Sequence, residues 1–356
     1  MIEISGLTKT YGTTRVLDGI DLRVDDARIA AVVGPSGAGK STLARCLTLL
    51  ERPTGGSVVV EGRDLARLSG ADLRVARRRI GTVFQSANLL RRLTAAQNVA
   101  LPLRHAGVGE AETRARVGEL LERVGLLHRA TAYPSQLSGG QRQRVGIARS
   151  LALRPSVLLA DEATSGLDPD ATASVLRLLT ELRDDLGVTI VVITHEMDVV
   201  RGVADHVARL DHGRIVEQGP VADIVRGTDS ELSRSLLPLP AEVDAGGRTR
   251  WHVRYRGEVV PTWLSQLERS LGGDVAVLAA LVESSGGVSL GRLTLGLDPA
   301  LPAERVHAVL AELGLAAEHV EAPGAQAEPA RILPITAELP VVGTVVGTAS
   351  GEEPAA

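Results

Sequence analysis

The chain has 356 residues and a formal net charge of −4 at pH 7 with histidine neutral, so charge gives no reason to expect nucleic acid or an anionic lipid surface as a partner. Its length favours two domains, and its single cysteine, Cys46, excludes an internal disulfide and favours a reducing compartment. No run approaches the ~18 apolar residues of a membrane span, and the N-terminus lacks the layout of a signal peptide. We therefore expect a cytoplasmic chain whose membrane role would be shared with another polypeptide.

The first segment with a clear chemical meaning is the phosphate loop at residues 34–41, Gly-Pro-Ser-Gly-Ala-Gly-Lys-Ser. The apolar run at 29–33 predicts a strand before the loop. The helical spacing of Leu43, Leu47 and Leu50 predicts a helix after it. Between a strand and a helix, small residues let backbone N–H groups point at the phosphates of a nucleotide. We therefore expect a nucleoside triphosphate site here.

Within this loop, Lys40 is expected to reach the β and γ phosphates, and the Ser41 hydroxyl is expected to hold Mg²⁺. Only Lys9 and Lys40 are lysines among the 39 basic residues, so a compact ammonium at this position is informative. The residues expected to bind the nucleotide are Gly34, Pro35, Ser36, Gly37, Ala38, Gly39, Lys40, Ser41 and Thr42.

The surrounding chain falls into three regions. Residues 1 to about 82 contain short strands, such as Ser57–Val60, around the phosphate loop. Residues 86 to about 150 are rich in helical patterns, and residues 156 to about 226 return to alternating strand and helix. The arginine run Arg74–Arg79 is expected to be a solvated helix face rather than a nucleic-acid site. This order predicts a parallel α/β core with an inserted helical subdomain.

The signature segment, residues 137–141 (Leu-Ser-Gly-Gly-Gln), precedes a predicted helix. Val145, Ala148, Leu151 and Ala152 fall on one face of that helix. The serine hydroxyl, the glycine N–H groups and the helix N-terminus offer a second anion site.

The apolar run at 156–160 is followed by Asp161 and Glu162. This pattern predicts a buried parallel strand with two carboxylates at its C-terminal end, the end where ligands bind. Asp161 is expected to hold Mg²⁺ through its water shell. Glu162 is placed to orient and deprotonate an attacking water.

The signature segment, placed between the phosphate loop and the strand that ends in two acids, resembles the signature of ATP-binding cassette (ABC) ATPases. No other large family of phosphate-loop proteins uses it. The resemblance implies an ATP-hydrolysing homodimer, in which the signature of one subunit closes over the γ-phosphate held by its partner. The residues implied to contact the partner's ATP are Ser138, Gly139, Gly140 and Gln141.

Further residues match functional positions of the family. Gln85 matches the glutamine that senses Mg²⁺ and the attacking water and carries the signal toward the membrane subunit. His195, after the apolar run at 188–193, matches the switch histidine that contacts the γ-phosphate. Residues 165–168 match the loop that links the two sites across the dimer. Tyr11 stands where the family places an aromatic ring on the adenine, and packing on the small β subdomain is the alternative for this side chain.

Three segments look like the ATPases of methionine uptake transporters: Leu49–Thr54, Asn98–Leu103 and His195–Val200. With the motifs above, this similarity runs from residue 1 to about 226. Polar amino-acid importers share much of the same sequence, so the substrate assignment depends mainly on the C-terminal part.

After a linker, the predicted elements follow the order β-α-β-β-α-β of a ferredoxin-like domain. This layout resembles the NIL domain at the C-terminus of methionine importer ATPases, which in that family binds cytoplasmic methionine and holds the two ATPase subunits apart. The predicted elements are strand Trp251–Tyr255, helix Thr262–Leu271, strands Val275–Val282 and Val288–Leu295 joined by a turn at Ser285–Gly287, helix Ala303–Leu313 and strand Ala317–Val320.

The C-terminal domain departs from its family at one position. The Asn-Ile-Leu triplet that names the domain is replaced by Ala276-Val277-Leu278, so an amide able to fix an amino-acid ligand is missing. Two interpretations stay open: a domain that senses a cytoplasmic amino acid, and a domain that only dimerises, since a ferredoxin-like fold specifies no ligand.

The predicted fold class is α/β, a phosphate-loop ABC ATPase core with a helical subdomain, followed by a ferredoxin-like α+β domain. The composition of the last residues, rich in Ala, Pro, Gly and Glu, predicts a disordered tail. The expected divisions are the ATPase domain at 1–236, a linker at 237–250, the NIL-type regulatory domain at 251–321 and the tail at 322–356.

We expect the ATP-hydrolysing subunit of an importer for methionine or a related amino acid. It would work peripherally at the cytoplasmic face of the cell membrane, with two integral-membrane permease subunits and, indirectly, a solute-binding protein. Alternatives are an ABC ATPase for another solute, an efflux or lipoprotein-release ATPase, or a soluble ABC ATPase of translation or DNA repair; the last class usually has two cassettes or a long coiled coil, which this sequence lacks. The expected catalytic residues are Lys40, Glu162 and His195, and the expected Mg²⁺ ligands are Ser41, Gln85 and Asp161.

Overall fold

The structure is a computed structural model that describes residues 1–85, 87–226, 230–236, 245–256, 262–285 and 288–320. Three predicted features therefore lie wholly or partly outside the described residues: most of the linker, the turn glycines Gly286 and Gly287, and the tail at 322–356. None of the helices within the described ranges combines the length and the apolar composition that crossing a bilayer requires.

The strands are β1 (Ile2–Tyr11), β2 (Thr14–Val24), β3 (Ile29–Val33), β4 (Gly55–Val60), β5 (Arg63–Asp64), β6 (Ile80–Phe84), β7 (Val157–Asp161), β8 (Thr189–Ile193), β9 (His206–Asp211), β10 (Arg214–Pro220), β11 (Thr249–Arg256), β12 (Ala276–Ser285), β13 (Val288–Leu297) and β14 (Leu315–Val320). The α-helices are α1 (Lys40–Leu47), α2 (Gly70–Arg77), α3 (Ala95–His105), α4 (Glu110–Arg123), α5 (Gly139–Ser150), α6 (Pro169–Leu186), α7 (Met197–Val203), α8 (Val221–Arg226), α9 (Glu231–Leu236), α10 (Trp263–Leu271) and α11 (Ala303–Glu312).

A six-stranded sheet in the order β10-β9-β3-β8-β7-β6 forms the centre of the ATPase core. The pairs of β3 with β8 and β9, and of β7 with β6 and β8, are parallel. Ala30 and Val32 of β3 pack in one buried cluster with α1, whereas Ala31 and Val33 pack in another with α7 and α9. Both faces of this strand are therefore covered, which explains why it is apolar at every position.

The register of the sheet brings the C-terminal ends of three strands level. Phe84 of β6 lies opposite Asp161 of β7, which in turn lies opposite Ile193 of β8. Val32 of β3 also lies opposite Ile193. The segments that follow these strands, including the phosphate loop, therefore leave the sheet at one edge.

A second, four-stranded sheet has the order β2-β1-β4-β5, with antiparallel pairs throughout. Its apolar face shares a buried cluster with Leu43 and Leu47 of α1. The prediction that Leu50 continues this helix is wrong. The chain leaves the helix after Leu47, Leu49 takes a left-handed backbone (φ 50°) and is buried, and Leu50 is 60% exposed.

Helices α3, α4 and α5 form the predicted helical region, and their apolar faces meet in one buried cluster. The predicted burial of Val145, Ala148, Leu151 and Ala152 is confirmed, but only Val145 and Ala148 lie in α5, because the helix ends at Ser150 and Leu151 is its C-cap. The arginine run at 74–79 begins in α2, and its arginines are exposed, as expected for a solvated face.

The C-terminal elements confirm the predicted order β-α-β-β-α-β, with bounds that differ by a few residues. Their sheet has the order β12-β13-β11-β14, in which the two strands that pair in the centre are not consecutive, as the ferredoxin-like arrangement requires. Trp251 and Val253 of β11 are buried, as are Leu267 of α10 and Leu310 of α11. The described residues fall into two compact units, the first of which contains residues 1–236; the domain limits given above stay predictions.

Candidate functional site

The phosphate loop owes its shape to glycines that contact other parts of the chain. A Cβ at Gly34 would overlap the carbonyl oxygen of Leu210. Gly39 has φ 109°, and a Cβ there would lie 2.9 Å from Cδ2 of Leu17. Gly37 has φ 81°. The loop is therefore pressed against β2 and β9 in a backbone conformation that side chains would disrupt.

The loop and the first turn of α1 form a positively polarised cradle. In the described part of the chain no side chain caps α1, whose N-cap is Gly39, and its first turn contains no acid. Uncapped N–H groups at a helix N-terminus attract an anion. Lys40 is only 9% exposed, and its Nζ donates to the carbonyl oxygens of Gly34 at 2.6 Å and Pro35 at 2.9 Å. The ammonium therefore lies inside the loop, where phosphate oxygens would meet it.

Asp161 lies at the end of β7 in a partly buried position. Burial raises the pKa of its carboxyl, the negative charge of Glu162 raises it further, and Lys40 and Arg45 act in the opposite direction. Because burial and the charge of Glu162 both disfavour the ionised form of Asp161, a cation bound beside it would stabilise the carboxylate.

Glu162 and His195 face each other at the same edge of the sheet. Nδ1 of His195 lies 3.4 Å from Oε1 of Glu162, and the two side chains are 58% and 29% exposed respectively. Glu162 has a left-handed backbone (φ 49°), and its N–H donates to the carbonyl oxygen of Ile193 at 2.8 Å. This strained, anchored turn aims a solvent-accessible carboxylate away from the buried strand.

The oxygen donors at this edge fit a small, hard cation. The exposed Ser41 hydroxyl and the Asp161 carboxylate are oxygen ligands of the type that Mg²⁺ prefers. Within the described residues there is no cluster of three or more His, Cys, Asp or Glu side chains able to hold a metal. Mg²⁺ is usually bound through one or two carboxylates together with substrate phosphates and water, and Ser41 and Asp161 could serve it in that way.

Gln85 follows β6 at the same edge and contacts the loop at 165–168. Its Nε2 donates to Oγ of Ser165 at 3.0 Å. This bond uses the amide nitrogen and not the oxygen that would contact a cation. Asp168, at the end of that loop, caps α6 by accepting from the N–H of Ala171 at 2.8 Å.

The signature segment starts α5 with a reciprocal cap. Oγ of Ser138 accepts from the N–H of Gln141 at 3.2 Å, and Oε1 of Gln141 accepts from the N–H of Ser138 at 3.0 Å. This capping box satisfies two of the orphan groups of the helix start. The structure therefore gives Gln141 a local structural task, whereas the sequence predicted only a contact to nucleotide.

Packing also leaves little room for a side chain at either signature glycine. A Cβ at Gly139 would lie 3.1 Å from Cδ2 of Leu167, and one at Gly140 would lie 2.9 Å from Cβ of Ala171. The start of α5 thus contacts the end of the 165–168 loop and the first turn of α6. Contacts between segments so distant in sequence carry no local sequence signal.

Tyr11 lies at the end of β1 and is 42% exposed, so it is not part of the core of the small β subdomain. Its hydroxyl donates to Glu51, and Nζ of Lys9 lies 4.8 Å from its ring centroid. Nζ of Lys9 also lies 3.5 Å from Oε2 of Glu51. Sequence reasoning missed Lys9 and Glu51, although the rarity of lysine in this chain was a usable signal.

The chain that carries these residues is similar to one known protein family along most of its length. The family model described as "ABC transporter" matches residues 17–165. The methionine import ATP-binding protein MetN 1 of Rhodococcus jostii is 56% identical over 303 residues, which are 83% of this chain and 90% of that protein. The methionine import ATP-binding protein MetN of Streptomyces griseus is 48% identical and covers 90% of this chain and 93% of its own.

Solved structures of cassettes match the core. The dimeric structure of the ATP-binding cassette MJ0796 bound to ADP and Pi has a TM-score of 0.57 and 35% identity, covering 62% of this chain and 99% of that one. The cbiO1 protein of Clostridium perfringens has a TM-score of 0.58 and 32% identity, covering 62% of this chain and 88% of its own.

Proposed function

The chain belongs to the family of methionine import ATP-binding proteins of ABC transporters, and we propose that it hydrolyses ATP to drive methionine import through separate permease subunits. The near full-length identity with proteins that carry this name is the observation behind the proposal. The cradle of Lys40 beside Asp161, Glu162 and His195 supports ATP hydrolysis as the reaction.

We assign the following roles to the site. Lys40 and the N–H groups of the phosphate loop hold the β and γ phosphates, with Ser41, Gln85 and Asp161 as the ligands of Mg²⁺. When bound, Mg²⁺ neutralises charge on the phosphate oxygens. Glu162 orients a water for in-line attack on the γ-phosphate and accepts its proton. His195 contacts the γ-phosphate and, through its 3.4 Å contact, keeps Glu162 in place.

The active species is proposed to be a head-to-tail homodimer with two ATP molecules at its interface. In that arrangement, Ser138 and the N-terminus of α5 face the γ-phosphate bound by the partner. Developing charge in the transition state would then be stabilised by groups from both subunits. The similar cassette MJ0796 is a dimer in its solved structure with ADP and Pi, which supports this proposal.

Closure of the dimer would move the helical region, and the surface around residues 85–98 would pass this motion to the permease. Leu90 on that surface is 49% exposed, which suits an apolar contact with a partner. We propose that the complex lies at the cytoplasmic face of the membrane, where a solute-binding protein acts on the permease from the other side.

The C-terminal domain is proposed to regulate the dimer, either by binding a cytoplasmic amino acid or by dimerising alone. A ligand can inhibit only through its higher affinity for the separated state. Because Ala276 replaces the family's asparagine, we expect methionine to inhibit more weakly than the family pattern implies.

Uptake by the purified complex tests the function. The chain is co-expressed with the membrane subunits that co-purify with it, and the complex is placed in vesicles with ATP on the side of the ATPase subunits. ATP-dependent transport of labelled methionine toward that side, lost in Lys40→Ala, is the expected result. ATP hydrolysis stimulated by another solute, with no methionine uptake, would contradict the substrate assignment.

A further inference from the structure

The segment between β6 and α3 contains an unusual turn. Ala87 (φ 53°) and Asn88 (φ 44°) are consecutive residues with left-handed backbones, and neither is glycine. Such conformations are sparsely populated for residues that carry a side chain, and they persist only where the surroundings hold them. Ala87 is also buried, so its carbonyl group needs an internal partner.

Arg149 of α5 provides that partner. Its Nη2 donates to the carbonyl oxygen of Ala87 at 2.5 Å, and its Nη1 donates to the carbonyl oxygen of Asn88 at 2.8 Å. The planar guanidinium therefore bridges the two strained residues with two donor nitrogens held in a fixed geometry, whereas a lysine would have to serve both carbonyl groups from one nitrogen atom. Burial lowers the pKa of Arg149, but an arginine remains charged at any physiological pH.

The contact continues along α5. Nε2 of Gln143, a buried side chain, donates to the carbonyl oxygen of Phe84 at 3.1 Å. A Cβ at Gly146 would lie 3.0 Å from Cβ of Ala87. Positions 143, 146 and 149 recur every three residues and so lie on one side of the helix. Over two turns, one side of α5 thus contacts the end of β6 and the start of this segment.

The far end of the segment is held from α3. The amide of Asn98 is fully buried and donates to the carbonyl oxygens of Leu90, Leu93 and Thr94 at 3.0–3.2 Å. Its Oδ1 accepts from the N–H of Leu90 at 2.8 Å. Because α3 and α5 share one buried cluster, both ends of residues 87–94 are anchored to the same packed helices.

We propose that Arg149, with Gln143, is a positioning residue that makes residues 87–94 part of one rigid body with α5, the helix that begins at the signature segment. This inference rests on the proposed function, in which ATP bound by the partner engages the signature and residues 87–94 contact the permease. When the signature segment moves, residues 87–94 would then move with it by the same amount, together with the surface that contacts the permease. Arg149 itself touches neither ATP nor the reacting atoms.

Hydrogen exchange measured by mass spectrometry on the full chain tests the anchoring directly. In Arg149→Met, the amides of residues 87–94 should exchange roughly tenfold faster, since two hydrogen bonds are lost. Arg149→Lys should give an intermediate effect. Arg123→Met is the matched control, because Arg123 also lies in the helical region but pairs with Asp185 instead. Unchanged exchange of residues 87–94 in Arg149→Met would overturn the proposal.

The assembled transporter tests the consequence. Arg149→Met should lower the ratio of methionine taken up to ATP hydrolysed several-fold, with the KM for ATP unchanged; a merely structural role would lower both activities together. If Arg149→Met does not fold, Arg149→Lys, which keeps the charge but not the two separate donor nitrogens, takes its place in both measurements. Faster exchange with an unchanged uptake ratio would overturn coupling. A wild-type complex that hydrolyses ATP without methionine uptake would instead contradict the proposed function, and the exchange result would stand separately.

Discussion

At the scale of single residues, the edge of the central sheet separates two carboxylates that are neighbours in sequence. Asp161 ends a buried strand, and burial raises the pKa of its carboxyl. Glu162 turns away through a left-handed backbone and lies beside His195. A one-residue step along the chain thus produces one group suited to a cation and one suited to moving a proton.

Glu162→Gln should retain ATP binding and lose turnover by about 10² to 10⁴, because the amide can hold the water but cannot accept its proton. The variant should accumulate as an ATP-bound dimer on size-exclusion chromatography. Glu196→Gln is the matched control, since Glu196 lies one residue beyond His195 at the start of α7. Hydrolysis by Glu162→Gln near the wild-type rate would rule out this role.

Asp161→Asn should stabilise the nucleotide-free protein while abolishing Mg²⁺-dependent hydrolysis. The folded state raises the pKa of Asp161 above its ordinary value, so the native protein binds the proton more tightly, and stability falls as pH rises through the raised pKa. Removing the charge should therefore raise the free energy of unfolding at pH 7.

Thermal unfolding at a series of pH values measures this effect. The advantage of Asp161→Asn should disappear below the ordinary aspartate pKa of about 3.9, where the carboxyl is protonated in both states. Asp170→Asn, at an exposed position in the first turn of α6, should show no such gain. An Asp161→Asn variant less stable than wild type at pH 7 would mean that the carboxylate is favourably solvated or paired in the free protein.

At the scale of elements, the first turns of α5 and α6 pack so closely that no additional side-chain atom fits between them. Gly140→Ala should cost about 1–3 kcal/mol, since the new Cβ would meet Cβ of Ala171 at 2.9 Å. Adding Ala171→Gly should recover part of this loss by making room. Urea denaturation of the single and double variants measures the recovery.

The same substitution in an open helical position provides the control for this prediction. In the described part of the chain, nothing lies within 4 Å of a Cβ at Gly118 of α4. Gly118→Ala should therefore stabilise by about 0.5–1 kcal/mol. If Gly140→Ala is equally stabilising, the close approach of α5 and α6 is not as tight as these distances imply.

The elements also show which features a sequence can predict. Strands β3, β7 and β8 were predictable because parallel strands covered on both faces are apolar throughout. The end of α1 was not predictable, because Leu50 fits the helical spacing of Leu43 and Leu47. Only the left-handed backbone of Leu49, which the spacing does not reveal, directs the chain away from the helix axis. The phosphate loop and both acids follow from local patterns, whereas the contacts of Gly140 and Tyr11 depend on partners 31 and 40 residues away.

At the scale of the whole molecule, the proposed dimer divides each ATP site between two chains. A mixture of Lys40→Ala and Ser138→Arg chains should therefore recover activity, because one of the two composite sites in each heterodimer has both motifs intact. ATP hydrolysis by purified heterodimers, made with two different affinity tags, measures this recovery. Each variant alone should be inactive.

The composition of the heterodimers is verified by recovering both tags from one peak. If such heterodimers remain as inactive as the parent chains, the head-to-tail sharing of sites is wrong, provided that one intact site suffices for turnover. A preparation in which Ser138→Arg alone is already active would instead exclude Ser138 from the groups that face the γ-phosphate.

The hydrogen bond between Gln85 and Ser165 implies thermodynamic linkage between the two nucleotides of such a dimer. The side-chain amide of Gln85 donates from its nitrogen to Ser165, and its oxygen is the atom that would contact the cation. Binding of a nucleotide with its cation at one site would therefore change the position of the loop at residues 165–168. Leu167 of that loop lies against the signature glycine Gly139, which in the proposed dimer would contact the nucleotide of the other site. The two affinities would therefore be interdependent, and by reciprocity each ATP would change the binding of the other by the same factor.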